Sequence, residues 1–221
     1  PVMLIGPYGC GKQTLFTDAA KEYCLKSGKE LHFSTLDKFK NPDQFNNFYG
    51  FEFKNGGIFY LKQYEQSDEV AIDEMNSSIR YQVMNVMAQG DSLVSASNDF
   101  RLGVGVNTYD FSREVLCGET KLKVVDMDRY AILDVTYDDI FEQKVLEVDP
   151  ELYSFIREFR DIASSKEIRH FITTRDIMTA RKLIDSGKYS REDILKMVIL
   201  KHLSIEALLT IEEEMSKVYK N

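Results

Sequence analysis

Nine residues near the start of the chain have the types and spacing that bind phosphate. They are Gly6, Pro7, Tyr8, Gly9, Cys10, Gly11, Lys12, Gln13 and Thr14, and they match the pattern G-x-x-x-x-G-K. The glycines let backbone N–H groups converge on phosphate oxygens, and a helix that begins after them adds partial positive charge. Lys12 supplies a full positive charge to the same oxygens. The pattern therefore predicts that the chain binds the phosphates of a nucleoside triphosphate.

The sequence on either side of this loop supports the prediction. Residues 2–5 form a short apolar run that is typical of a buried strand. From Thr14 to Ser27 the apolar residues recur at helical spacing, and Gly28 is suited to end the helix. The alternative is a glycine-rich turn that only opens a helix. The strand before the loop and the helix after it favour phosphate binding.

Gln13 departs from the usual pattern, in which a Ser or Thr hydroxyl at this position ligates Mg²⁺. The amide oxygen of Gln13 can ligate the metal or hold a metal-bound water, and Thr14 can compensate through a small shift in register. Phosphate binding thus follows from Lys12 and the glycines, whereas Mg²⁺ binding depends on Gln13 or Thr14.

A second segment, Val70-Ala-Ile-Asp73-Glu74, predicts a buried strand over 69–73 that ends in two carboxylates. In a phosphate-binding enzyme Asp73 would hold Mg²⁺ through water. Glu74 would orient and deprotonate the attacking water. The alternative is an ordinary strand followed by surface acids. Because the segment lies downstream of the phosphate loop, we favour the catalytic interpretation.

The remaining hydrophobic pattern divides the chain into two domains. Before residue 146 it predicts further strands at 31–35, 100–106 and 130–135, and helices near 43–49, 58–66 and 76–88. Beyond residue 149 it predicts only helices, at 150–163, 174–186, 190–202 and 204–219. We therefore expect an α/β nucleotide-binding domain over 1–145 and a helical domain over 146–221.

The net charge, the cysteines and the length of the apolar runs exclude some classes of function. The chain has 221 residues and a net charge of −8, which argues against a broad nucleic-acid-binding surface but allows a local basic groove, as in a ring pore. Its three cysteines form no C-x-x-C pair and indicate a reducing compartment, the cytoplasm. Apolar runs are too short to span a bilayer. The chain opens inside a predicted strand, so we expect further residues before Pro1.

Five segments together resemble a known family. GPYGCGKQT, EVAIDEM, FRLGVGVNT, DMDRY and FITTRD occur in the order found in AAA+ ATPases of the MoxR and dynein-related group, over residues 1–186. That group includes the ATPase subunit of cobaltochelatase and phage-encoded relatives. The resemblance implies an α/β P-loop NTPase fold, with a three-layer arrangement around a five-stranded parallel sheet in AAA+ order and a small helical lid domain. It also implies ATP and Mg²⁺ as ligands.

The resemblance assigns three further roles. Asn107 would position the attacking water near the γ-phosphate. Arg129 would be an arginine finger that reaches the γ-phosphate of a neighbouring subunit, where its charge stabilises the transition state. Arg175 would be a lid residue that contacts phosphate. Arg113 is a second candidate for the intersubunit arginine.

Each role has a structural alternative. Asn107 is also the type of residue found where a strand ends in a turn. Arg129 can be a surface residue paired with Asp126 or Asp128, and Arg175 can open a helix while paired with Asp176.

Three functions are compatible with these residues. The first is an ATP-hydrolysing remodelling subunit of a homo-oligomeric ring, a hexamer, acting on a protein partner such as a von Willebrand-type protein. The second is a nucleotide-binding module with impaired hydrolysis, motivated by Gln13, in which ATP controls assembly or partner binding. The third, a small-molecule kinase or GTPase, is disfavoured by the predicted Asp-Glu strand, the helical C-terminal part and the absence of a guanine-binding motif.

Overall fold

The computed structural model describes residues 1–80, 86–89, 92–108, 127–166, 168, 172–201 and 203–218. The chain forms two compact units. The first comprises Pro1–Pro7 and Gly11–Val135, and the second comprises Tyr8–Cys10 and Thr136–Asn221. The units divide after Val135, and the domain boundary expected after residue 145 stays a prediction.

The first unit is built on a parallel sheet. Within the described residues this unit has seven strands, which are β1 (Val2–Pro7), β2 (Phe33–Leu36), β3 (Ile58–Leu61), β4 (Val86–Gln89), β5 (Ser92–Ser95), β6 (Arg101–Thr108) and β7 (Ala131–Asp134). Five of them form one sheet in the order β2-β3-β6-β1-β7, and each neighbouring pair is parallel. The other two, β4 and β5, form a separate antiparallel pair. The predicted five-stranded parallel sheet is therefore confirmed.

Helices connect the parallel strands, as a parallel sheet requires. They are α1 (Lys12–Ser27), α2 (Pro42–Gln44), α3 (Gly50–Asn55) and α4 (Glu69–Arg80). A π-helical turn, Phe45–Tyr49, joins α2 to α3. Its aromatic rings pack against the sheet: Tyr49 is fully buried and meets the ring of Phe59 edge-on at 5.7 Å.

The helix predicted near 58–66 is wrong. Its first half is β3, and only Tyr64–Gln66 are helical, as a single 3₁₀ turn. All four residues of β3 are buried, as is typical of a central strand in a parallel sheet whose two faces are covered. A short run of buried apolar residues fits a central strand or a buried helix equally well, and periodicity alone cannot separate the two.

The strand predicted at 69–73 is also wrong, since these residues begin α4. Within this helix Ala71, Ile72, Met75 and Ile79 are buried and recur at helical spacing. The apolar triplet at 70–72 resembled a strand because three residues are too few to show a helical period. The period becomes visible only when Met75 and Ile79 are included.

The second unit is helical. Its helices are α5 (Asp139–Val145), α6 (Pro150–Ser165), α7 (Thr174–Ser186), α8 (Arg191–Ile194) and α9 (Ile205–Val218), and a π-helical turn, Leu195–Ile199, continues α8. This agrees with the helical pattern predicted beyond residue 149. In the described ranges, no helix is both long enough and apolar enough to cross a membrane.

A buried ion pair connects the helices of this unit. Glu142 of α5 is completely buried and accepts hydrogen bonds from Arg160 of α6 at 2.6 and 3.1 Å. The same guanidinium donates to the Ile172 carbonyl just before α7 and lies 4.0 Å from the ring centroid of Tyr137. Each polar atom of the guanidinium and carboxylate thus has a partner that offsets part of the desolvation of the pair.

We expect Arg160→Ala to lower the free energy of unfolding by about 3–5 kcal/mol, because it leaves Glu142 buried and uncompensated. Thermal unfolding monitored by circular dichroism would measure this. The control is Lys196→Ala, which removes an exposed pair with Glu192 and should leave the melting temperature unchanged. Equal effects of the two substitutions would contradict the importance of the buried pair.

Candidate functional site

The predicted phosphate loop connects β1 to α1. Gly11 precedes the first helical residue with a φ of 94°, and no side chain caps the start of the helix. Lys12 is buried, and its ammonium group donates to the carbonyls of Gly6 at 2.9 Å and Pro7 at 2.8 Å. The ammonium is therefore held against the loop backbone, and the first N–H groups of α1 are oriented to bind an anion.

The tip of the loop packs within the second unit. The Tyr137 hydroxyl donates to the Tyr8 carbonyl at 3.0 Å. Gly9 has a φ of 72°, and a Cβ at this position would lie 2.6 Å from the Cβ of Thr173. Gly9 is therefore required both for its backbone conformation and for the close approach of Thr173.

The ends of three parallel strands lie at the same edge of the sheet. Gly6 of β1 is paired with Asn107 of β6, and Leu61 of β3 with Val104 of β6. Because parallel strands share one direction, the residues that follow their carboxyl ends lie together. Asn107, predicted to position water, is buried at this edge, and its amide nitrogen donates to Glu65 Oε1 at 2.8 Å.

Glu65 is a candidate functional residue that the sequence analysis missed. It follows β3, its exposed fraction is 6%, and its Oε2 is buried without a hydrogen-bond partner. Burial raises the pKa of Glu65, whereas backbone hydrogen bonds, the Asn107 amide and the positive charge of Lys12 act in the opposite direction. The signal in the sequence was the four-residue apolar run of β3, followed within a few residues by an acid.

Asp73 and Glu74 do not occupy the place predicted for them. Both side chains are exposed on α4 rather than at the end of a buried strand. Their assignment as metal ligand and catalytic base is therefore corrected, because its geometric basis was the strand. The structure brings Glu65 to Asn107 instead.

The residues directly after β3 are Lys62 and Gln63. The Lys62 ammonium pairs with Asp37 Oδ1 at 2.8 Å. Directly after β3 the chain therefore has a cation, Lys62, and an amide, Gln63. The predicted catalytic site requires two carboxylates after a buried strand. Gln13 and Thr14 are both exposed in the first turn of α1.

The predicted arginines have separate environments. Arg129 is partly buried in the turn that precedes β7. Arg175 is exposed as the second residue of α7, close in sequence to the Thr173 that packs on the phosphate loop.

Asp176, the predicted partner of Arg175, has other partners. Its carboxylate accepts hydrogen bonds from Lys201 at 2.6 Å and from Thr173. Although burial opposes it, these hydrogen bonds lower the pKa of Asp176.

Two candidates named from the sequence, Arg113 and the proposed ion-pair partner Asp126, lie outside the described residues.

The chain is similar to two solved structures of known proteins. The structure of NtrX from Brucella abortus in complex with ADP superposes with a TM-score of 0.51 at 13% sequence identity, over 87% of this chain and 46% of that one. A point mutant of RuvB from Thermotoga maritima gives a TM-score of 0.48 at 14% identity, over 97% of this chain and 62% of that one. No protein-family model matches the sequence, and no curated protein is a match.

The chain therefore spans less than two thirds of each of these solved chains. Its five-stranded parallel sheet, with the phosphate loop after β1 and helices after the sheet, is the fold of an AAA+ P-loop NTPase. The fold class expected from the sequence is confirmed.

The raised pKa of Glu65 predicts a pH-dependent stability. A carboxyl whose pKa is higher in the folded state stabilises the fold below its ordinary value of 4.5, and this contribution is lost as the pH rises through the folded value. Glu65→Gln removes the titration. We expect the variant to gain stability relative to the natural chain as pH increases above 4.5, by at most about 1.4 kcal/mol per pH unit.

Urea unfolding of both proteins at a series of pH values would measure this difference. Glu22→Gln, which changes an exposed carboxylate on α1, is the control and should follow the natural chain at every pH. A constant difference between Glu65→Gln and the natural chain would contradict the buried titration.

Proposed function

We propose that the chain is an AAA+ subunit that binds ATP through residues 6–14 and hydrolyses it slowly, so that nucleotide binding controls its assembly or its binding of a partner. The observation that carries the proposal is the combination of a phosphate loop that has its glycines and Lys12 with a strand β3 that is followed by Lys62 and Gln63. The first feature binds triphosphate, and the second lacks the groups that accelerate its hydrolysis.

Three features support nucleotide binding. The glycines give the loop its left-handed backbone conformations, the helix α1 directs its first N–H groups toward the loop, and Lys12 lies beside them. NtrX, which has a similar fold, was crystallised with ADP. We expect ATP to be the preferred nucleotide, as the resemblance to AAA+ ATPases implies.

The end of β3 supports slow hydrolysis. Phosphoryl transfer to water requires a residue that orients the water and groups that neutralise the charge developing on the phosphate. Lys62 cannot accept a proton while it is charged, and the Gln63 amide is not basic. The nearby carboxylate, Glu65, already accepts the Asn107 amide, which leaves a single buried oxygen without a partner.

A second candidate function is an ATP-hydrolysing ring of the MoxR type. The contact between Glu65 and Asn107 favours it, because a buried carboxylate with a raised pKa beside Lys12 is a candidate general base. Arg129 would then complete the site of a neighbouring subunit, and Arg175 would contact phosphate. Such a ring, for instance a hexamer, would act on a protein partner, of which a von Willebrand-type protein is one candidate.

Lys12→Ala should weaken ATP binding by about 100-fold or more, because the variant loses a charge-assisted contact to the phosphates. Isothermal titration calorimetry measures this directly. Lys21→Ala is the matched control, since Lys21 is an exposed lysine of the same helix that pairs with Asp18. An unchanged affinity in a folded Lys12→Ala protein would contradict the proposed site.

The rate of ATP hydrolysis and the mass of the protein in solution distinguish the two candidate functions. If hydrolysis is slow, ATP should change the mass in solution or the binding of a partner, while the rate of phosphate release stays near background. A hydrolysing ring should release phosphate at an ordinary ATPase rate, which Glu65→Gln and Arg129→Ala should each reduce by at least about tenfold. Glu74→Gln, on the exposed face of α4, is the control and should leave the rate unchanged.

A further inference from the structure

The residues at the end of β3 do not fit a bound Mg²⁺. This ion requires oxygen ligands in octahedral geometry, and P-loop NTPases hold it with a hydroxyl from the loop and a carboxylate at a strand end. The corresponding residues are an exposed Gln13 and the cation Lys62. Within the described residues, no group of three or more His, Cys, Asp or Glu side chains is arranged to hold a metal ion.

Glu65 does not restore the missing ligand. Its Oε1 accepts the Asn107 amide at 2.8 Å, and only Oε2 remains without a partner. A single buried carboxylate oxygen, in a site where Lys12 already contributes positive charge, is a poor ligand set for a strongly hydrated dication.

Lys62 faces the side of the sheet on which α1 lies. It follows Leu61 of β3 and lies next to Gly105 of β6, since its carbonyl oxygen is 3.0 Å from the position of a Cβ on that glycine. Side chains alternate along a strand, so Lys62 shares a face with Tyr60. The ring of Tyr60 stacks on Phe16 of α1 at 4.7 Å. The Lys62 side chain therefore leaves the backbone on the same face as α1, and its ammonium pairs with Asp37, which follows β2 on the side of β3 opposite β6.

The distance from Lys62 to the phosphate loop is within the reach of a lysine side chain and a triphosphate. Only β6 separates β3 from β1, so the backbone of Lys62 is about 10 Å from β1. The partner of Lys62, Asp37, has 75% of its side chain exposed. Exposed ion pairs contribute little to stability, so Lys62 can exchange Asp37 for a phosphate oxygen.

We propose that this chain binds nucleoside triphosphate without a divalent cation, with the Lys62 ammonium supplying the positive charge that Mg²⁺ supplies elsewhere. The inference rests on the proposed function, because it concerns the same phosphate loop. It also explains why the position that usually carries a carboxylate can carry a lysine: a carboxylate facing a metal-free triphosphate would repel it.

The experiment is a calorimetric titration of the full chain with ATP in excess EDTA and again in excess Mg²⁺. We expect the two dissociation constants to agree within about threefold. Binding only in Mg²⁺ would overturn the inference and leave the proposed function intact. Absence of binding in both solutions, with a folded protein by circular dichroism, would overturn both.

Substitutions test the role of Lys62. In EDTA, Lys62→Ala should weaken ATP binding by about tenfold, the effect of losing one charge-assisted hydrogen bond. The matched control is Lys29→Ala, since Lys29 also forms an exposed ion pair, with Asp99, and should bind ATP normally. Equal affinity of Lys62→Ala and Lys29→Ala would overturn the assignment of Lys62.

A gain of function completes the test. The double substitution Lys62→Asp with Gln63→Glu places two carboxylates after β3. We expect this variant to bind ATP at least about tenfold more tightly in Mg²⁺ than in EDTA. If its affinity in the two solutions remained equal, the end of β3 would not be what decides metal dependence, and the inference would fail.

Discussion

The parallel pairing of β3, β6 and β1 is the constraint on which the rest of the site depends. It places the residues after three strands at one edge of the sheet, although they are far apart in sequence. Asn107 lies opposite Gly6 because β6 and β1 are in register. Glu65 meets Asn107 because β3 is on the other side of β6. A shift of one residue in either pairing would turn these side chains to the opposite face.

Buried charge is the second organising feature. Lys12 is satisfied by two loop carbonyls, which a bound phosphate can replace without leaving the ammonium in an apolar environment. Glu65 is only partly satisfied, so its pKa is raised and its charge destabilises the fold above its ordinary pKa. Glu142 is fully satisfied by Arg160 and Thr174. The incompletely satisfied carboxylate, Glu65, thus lies in the candidate site, whereas the fully satisfied carboxylate, Glu142, stabilises the helical unit.

Binding and hydrolysis are separate properties in this fold. In the proposed site, triphosphate binding would depend on backbone N–H groups and Lys12, which are both local to the loop and the first turn of α1. Hydrolysis depends on side chains that other strands bring to the same edge. The loop can therefore keep its glycines and Lys12 while β3 is followed by Lys62 and Gln63. The proposal of a nucleotide-controlled subunit follows from that separation.

The sequence by itself determined β1, the glycine-rich loop between β1 and α1, β6 and the helices beyond residue 149, because their signals are local. A glycine pattern and a helical period are visible within about fifteen residues. It did not determine which apolar run forms the third strand of the sheet. The segment 69–73 and the true strand, β3, are both short and apolar, and only contact with β2 and β6 distinguishes them.

The tertiary structure alone decided the composition of the candidate site. Glu65 and Asn107 are separated by forty-two positions, and no local pattern connects them. No local pattern identifies Lys62 as a site residue either, because its role depends on its position next to β6. Strand order in a sheet is set by contacts between distant parts of the chain, so the identity of the residues at its carboxyl edge follows from the fold and not from their immediate neighbours in sequence.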